Sequence, residues 1–236
     1  MNEFTAPFES PASEALPEQR AQFIRKTYML LAAAIFAFIV VESFLFVSGA
    51  AEMIATVVFS GGMIGWLLVL GLFMFVSWIA RTWATSETGI TQQLLGLGLA
   101  VVAEAVIFVP LITMAAIRSD NPFALLMKAG IVTLGLFLGI TATVFITRSD
   151  FSFLGPILTI GGFAALGFIV ASALFGFSIG TLFCFVMVAF AGTAILYETS
   201  NVLHRFNTNQ HVAASLTLFA SVALLFWYIL SIFSRR

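Results

Sequence analysis

Seven long stretches, each almost free of charge, fill the chain from Thr27 to Phe233. They fall at 27–48, 57–80, 94–117, 123–147, 154–174, 177–197 and 212–233. A helix rises about 1.5 Å per residue, so about 20 apolar residues cross the roughly 30 Å hydrocarbon core of a bilayer. The runs are continuous instead of alternating, which favours spanning helices over barrel strands. Polar and turn-forming segments separate them: "SGAAEM", "RTWATSETGITQQ", "RSDNP", "RSDFS", "FGFS" and "ETSNVLHRFNTNQH". The weakest break is Phe175 to Ser178, where only glycine and serine interrupt; without it the count falls to six.

Composition agrees. Only 9% of residues are charged and 61% are hydrophobic, whereas soluble domains carry roughly 25% charged residues. The expected class is therefore an all-α integral membrane protein, with the lipid bilayer as its first partner. A net charge of -1 gives no electrostatic case for nucleic acid or for strong attraction to anionic lipid. The single cysteine, Cys184, cannot form an intrachain disulfide and reads as a small buried packing residue.

Residues 1–22 differ from the rest, being rich in proline and glutamate with little periodicity. They read as a disordered tail ahead of a seven-helix domain over 23–236. They lack the basic start and apolar core of a secretory signal. With the N-terminus in the cytoplasm, Arg20, Arg25, Lys26, Arg81, Arg148 and Arg205 lie inside, and Arg118, Arg235 and Arg236 outside. Trp78 and Trp83 then suit the inner interface, and Trp227 and Tyr228 the outer one.

Ionisable residues at membrane depth are costly and usually face a protein interior or a water cavity. Glu104 is the deepest, six residues before Pro110. It is either functional or a protonated acid hydrogen-bonded to a neighbouring helix. Glu42 and Lys128 lie at similar depth near the outer side. They form a structural ion pair if their helices touch; otherwise each snorkels to the interface. Glu198 stands where an apolar run ends, in "AILYETSNVLHRF". Local sequence makes it an acid at the water boundary. Its place near a helix C-terminus is mildly unfavourable, which directs attention to Arg81 at the same level. His204 and His211 lack common metal-site spacing but titrate near neutral pH. Gly61–Gly65, Gly135–Gly139 and Gly176–Gly180 have the spacing that lets helices approach closely. No phosphate loop, HExxH or placed nucleophile is present, so an enzyme is not expected.

Three segments carry a family likeness: "FIRKTYMLLAAAI", "TRSDFSFLGPIL", which includes Arg148 and Asp150, and "ILYETSNVLH". The chain resembles the Bax inhibitor-1 family, and its Glu-Thr-Ser-Asn motif resembles the bacterial YccA branch, over about Phe23 to Phe233. The resemblance implies two three-helix layers around a central C-terminal helix, in a bacterial inner membrane. It implies no cofactor, with calcium as a transported ion in members that form pH-dependent leaks. In those, an acid at the Glu198 position pairs with an acid on the last helix, and an arginine corresponding to Arg81 latches onto an acid. Here Ser221 occupies the second acid's position and the last span holds no carboxylate. A single Glu198 against Arg81 remains, with weaker calcium binding than two carboxylates would give. The YccA branch implies instead a regulator of membrane-protein quality control that contacts a membrane-anchored AAA protease, with residues 1–22 as a contact tail.

Overall fold

The computed structural model describes residues 11–86 and 89–235. Among them, eight helices follow in order: α1 (Pro17–Val47), α2 (Ala50–Ser60), α3 (Gly62–Ala84), α4 (Ile90–Arg118), α5 (Pro122–Thr147), α6 (Leu154–Phe175), α7 (Thr181–His204) and α8 (His211–Phe233). All but α2 are long and apolar enough to cross a membrane. The protein is an all-helical integral membrane protein.

Local chemistry sets several boundaries. Pro17 opens α1, where its missing N–H removes no helix bond. Asn121 caps α5 by accepting from the Ala124 N–H at 3.0 Å, with Pro122 in the first turn. Gly176 ends α6 in the left-handed conformation (φ +72), so the weakest predicted break is a real turn.

The helices assort by contact. On one side α4 packs between α1 and α3; on the other, α7 packs between α5 and α6. Helix α8 touches α1, α3, α4, α5 and α7, and so lies between the two groups. This is the expected central C-terminal helix. Its interior face is small or aliphatic: Ala214, Leu218, Leu225 and Leu230 are fully buried.

Five expectations are corrected. The second span does not begin at 57. Residues 50–60 form the separate helix α2, and the chain turns at Gly61–Gly62, where Gly62 takes φ +53. Helix α7 does not end near 197 but runs through "ETSNVLH" to His204. Its polar residues stay helical because they are used inside: Thr199, Ser200 and Asn201 are all buried. The tail expected over 1–22 is ordered from Pro11. Ala12 N donates to Phe206 O (2.9 Å), Ser13 Oγ to His204 O (3.2 Å) and Arg20 Nη2 to Leu203 O (3.5 Å). This strap satisfies carbonyls at and beyond the end of α7, where a helix leaves them free; residues 1–10 lie outside the described residues. Of the spaced glycine pairs only Gly61–Gly65 is close-packed, at the α2–α3 turn, where a Cβ on Gly61 would lie 2.8 Å from Gly65 Cα. A Cβ on Gly135, Gly139, Gly176 or Gly180 would meet nothing, whereas one on Gly96 would lie 2.6 Å from Ala80 O. Finally, Tyr228 is buried and Trp227 stacks on Trp66, so neither serves as a free interfacial anchor.

Candidate functional site

The end of the bundle that carries Arg81, Arg148 and Arg205 holds the polar centre. Its construction begins with Gly96. Because no side chain intervenes there, the α3 and α4 backbones touch. That contact sets Arg81, in the last turn of α3, beside α4. The Arg81 charge acts on Glu104 of α4 and on Glu198 of α7. Among the described residues no direct hydrogen bond joins Arg81 to either carboxylate; its charge is felt at both from a distance. Sequence reasoning had set Arg81 against Glu198; the structure adds Glu104 to the same field.

Glu198 is not at a helix end. It lies six residues before His204, about 9 Å inside α7, and is half-buried. Asn201, one turn later, donates Nδ2 to Glu198 Oε2 at 3.4 Å. From α8, the hydroxyl of Thr217 adjoins the same carboxylate. That hydroxyl has one proton and donates it to Ala214 O at 3.1 Å. Ser221, the residue at the expected second-acid position, is buried one turn further on, and its Oγ donates to Thr217 O at 3.1 Å. Thr217 and Asn201 were therefore missed as neighbours of Glu198. The signal was present: Thr217 and Ser221 are four apart and share a helix face.

A second group adjoins this one. Tyr28 of α1, Thr141 of α5 and Thr199 of α7 bring three hydroxyls together, yet none makes a hydrogen bond of good geometry. Asn201 Oδ1 is likewise buried without a partner. Buried polar groups left unpaired cost about 1–3 kcal/mol each, so this cluster is polar at a cost that simple packing does not require.

The remaining candidates divide. His204 Nδ1 meets Ser200 O at 3.0 Å, and Ser200 Oγ accepts from Phe151 N at 2.9 Å. This fastens the loop after α5 to α7. In that loop Arg148 is exposed and holds φ +51 as the C-cap of α5. Asp150 accepts from Ser152 N at 2.9 Å. The Ser152 N–H and hydroxyl, with His204 and Arg205 nearby, hold its carboxyl below the ordinary aspartate range. His211 starts α8 and stands apart, lining a polar cavity with Lys26 and Gln93. The Glu42–Lys128 pair does not form: both Glu42 oxygens are buried without partners, and Lys128 is exposed in a groove with Ile131 and Phe233. The two lie on opposite groups of helices. Among the described residues, no three His, Cys, Asp or Glu side chains gather as a metal site.

A sequence profile described as "Inhibitor of apoptosis-promoting Bax1" matches residues 20–236. The chain belongs to the Bax inhibitor-1 family. Bax inhibitor 1 of Schizosaccharomyces pombe is 26% identical over 230 residues, covering 94% of this chain and 80% of that protein. Protein LIFEGUARD 4 of Arabidopsis thaliana is 28% identical over 228 residues, 92% of this chain and 86% of that one. An uncharacterized Pseudomonas aeruginosa protein is 34% identical over 116 residues, 48% of this chain and only 51% of its own length. No solved structure matches. For this Bax inhibitor-1 family protein, the three motif segments that carried the likeness converge in space. Phe151 of the second bonds Ser200 of the third, and Tyr28 of the first adjoins Thr199 of the third.

Proposed function

We propose that this Bax inhibitor-1 family protein is a pH-responsive cation leak, with calcium as the transported ion, whose gate is the Glu104–Arg81–Glu198 group. The observation that carries this is the shared guanidinium: two carboxylates from different helices and one positive charge. One arginine compensates one acid. The other is left for a proton or a cation, and which of the two it takes depends on pH. Asn201 Oδ1 and the Tyr28–Thr141–Thr199 hydroxyls supply neutral oxygens alongside, the ligand type that hard cations prefer. The loss of a second acid at Ser221 is offset by Glu104, which lies in the field of the same arginine from α4. The protein acts as a channel or regulator, not an enzyme, in a bacterial inner membrane with the N-terminus in the cytoplasm. The test is calcium flux into liposomes between about pH 5 and about pH 8. Flux that depends on pH and vanishes in Glu198→Gln supports the leak; equal flux in that variant removes Glu198 from the gate.

A second reading, control of membrane-protein quality through a membrane-anchored AAA protease, is favoured by the strap. It fixes Pro11 beside Asn207, beyond the end of α7. Deleting residues 2–10, which spares the strap, should then weaken co-purification with the protease. Unchanged recovery would count against the tail as contact.

A further inference from the structure

The opposite end of the molecule holds a cleft of about 430 Å³. It lies where the α2–α3 turn, the last two turns of α4 and the end of α8 meet. Two arginines line it: Arg118, the last residue of α4, and Arg235, just beyond α8. No acidic residue is in the lining. Among the described residues Arg235 donates once, to Ile179 O at 2.5 Å. A guanidinium carries five N–H donors, so Arg235 keeps most of its donors for another acceptor, and Arg118 meets no carboxylate among the described residues.

An arginine at a helix C-terminus has an ordinary explanation: it meets the negative end of the dipole and snorkels to water. That accounts for each arginine alone. Both side chains are exposed and solvated; what that explanation does not account for is that two like charges line one cleft with no acidic residue among its lining. An anion balances the two charges, and phosphate matches the guanidinium fork best. Below the arginines the cleft becomes apolar. Trp66 and Trp227 stack with centroids 6.3 Å apart, and Leu111 and Met114 continue the wall. The sequence-wide charge of -1 conceals this local excess of positive charge.

We propose that this cleft is a binding site for a phospholipid of net negative charge, with its phosphate between Arg118 and Arg235 and an acyl chain along Trp66 and Trp227. A free anion would use the mouth and leave the apolar wall unfilled; a zwitterionic lipid would fill the wall and leave one unit of charge unmet. The proposal is independent of the gate at the other end.

The cleft contains two of the four tryptophans. In a Trp78→Phe/Trp83→Phe background, emission comes from Trp66 and Trp227 alone. The protein is reconstituted in phosphatidylcholine vesicles with a minor fraction of lipid brominated on its acyl chains. Two basic contacts predict about a thirtyfold preference for brominated phosphatidylglycerol over brominated phosphatidylcholine in quenching. The preference should fall to near unity in Arg118→Gln/Arg235→Gln. Protection of buried Cys184 from a maleimide shows that the variants are folded. Equal quenching by the two lipids, or an undiminished preference in the double variant, overturns the proposal. Reversal of the quenching by inorganic phosphate also overturns it, in favour of a free-anion site.

Discussion

Helices α6 and α8 have the same mean hydropathy over their most apolar stretch, 2.2, yet 0% of that stretch is buried in α6 and 61% in α8. Hydropathy measures transfer from water into something apolar. It does not distinguish lipid from protein, because lipid tails are as apolar as leucine. What separates the two helices is position, since α6 carries at least as many small residues as α8. Helix α8 presents Ala213, Ala214, Ser215 and Ala223 among its leucines, small residues that let five neighbours approach. Helix α6 presents Ile157, Ile160 and Phe163 outward. It meets α7 through Gly155 beside Tyr197, Gly161 beside Phe190 and Phe168 stacked on Phe183.

The largest expected effect tests that difference directly. Leu225 in α8 is fully buried. Leu225→Ala leaves a cavity that neighbours fill only in part, a loss of about 2–5 kcal/mol. Ile160 in α6 is 71% exposed. In Ile160→Ala lipid fills the space, so the change stays within about 0.5 kcal/mol. The single cysteine provides the assay, since Cys184 is 2% exposed and reacts with a thiol dye only on unfolding. Similar unfolding midpoints for the two variants would mean that α8 is not the core.

Next in size is the close approach of α3 and α4. A Cβ at Gly96 would stand 2.6 Å from Ala80 O and 2.7 Å from Ala84 N, both backbone atoms that cannot turn aside. Gly96→Ala should cost about 1–3 kcal/mol. It should also displace Arg81 from Glu104, so the pH dependence of any flux should shift. Gly139→Ala meets nothing and should be neutral or slightly stabilising through helix propensity. Equal effects at the two glycines would show that α3 and α4 are further apart than described.

These pairs also show what the sequence could convey. Seven spans were legible because a run of apolar residues has a length that matches the bilayer. Glu198 and Arg81 were legible because charges are rare inside such runs. The role of Gly96 was not, because GxxxG spacing points equally to Gly135–Gly139, whose face is open. Glu104 was visible as a deep acid, but its tie to Arg81 depends on which helices touch, and hydropathy carries no such information. The end of α7 was misplaced because Thr, Ser and Asn read as loop-forming when exposed. Buried, Ser200 binds Phe151 and Asn201 binds Glu198, and the helix continues. The strap was missed for a related reason: residues 11–16 have no apolar period, and what orders them is the set of free carbonyls at the end of α7.

With no buried residue of its own, α6 depends on how its first turn is held. Phe151 N donates to Ser200 Oγ, and Ser200 is fully buried. Ser200→Ala leaves that N–H unpaired, a loss of about 1 kcal/mol. Ser200→Thr keeps the hydroxyl and should retain most of the stability. The readout is amide exchange at the start of α6, which should quicken in Ser200→Ala while α8 stays protected. Faster exchange in both helices would mean that α6 is not separately anchored.

The smallest effect belongs to Asp150, in the same loop. Its carboxylate accepts from Ser152 N at 2.9 Å just before α6 begins. That bond, the Ser152 hydroxyl and the nearby charges of His204 and Arg205 lower its pKa in the folded protein. A lowered folded pKa means that the unfolded chain binds the proton more readily, so the contribution is full above the unfolded value, about 3.9, and is lost as pH falls through the folded one. Asp150 is exposed, so solvent screens the charges and the effect is modest. Asp150→Asn keeps the acceptor oxygen and removes the titration. Its unfolding midpoint should track that of the parent from about pH 7 to about pH 5 and fall less steeply below. If the two curves stay parallel into acid, the turn is held by geometry alone, and α6 is anchored through Ser200 without help from the charge.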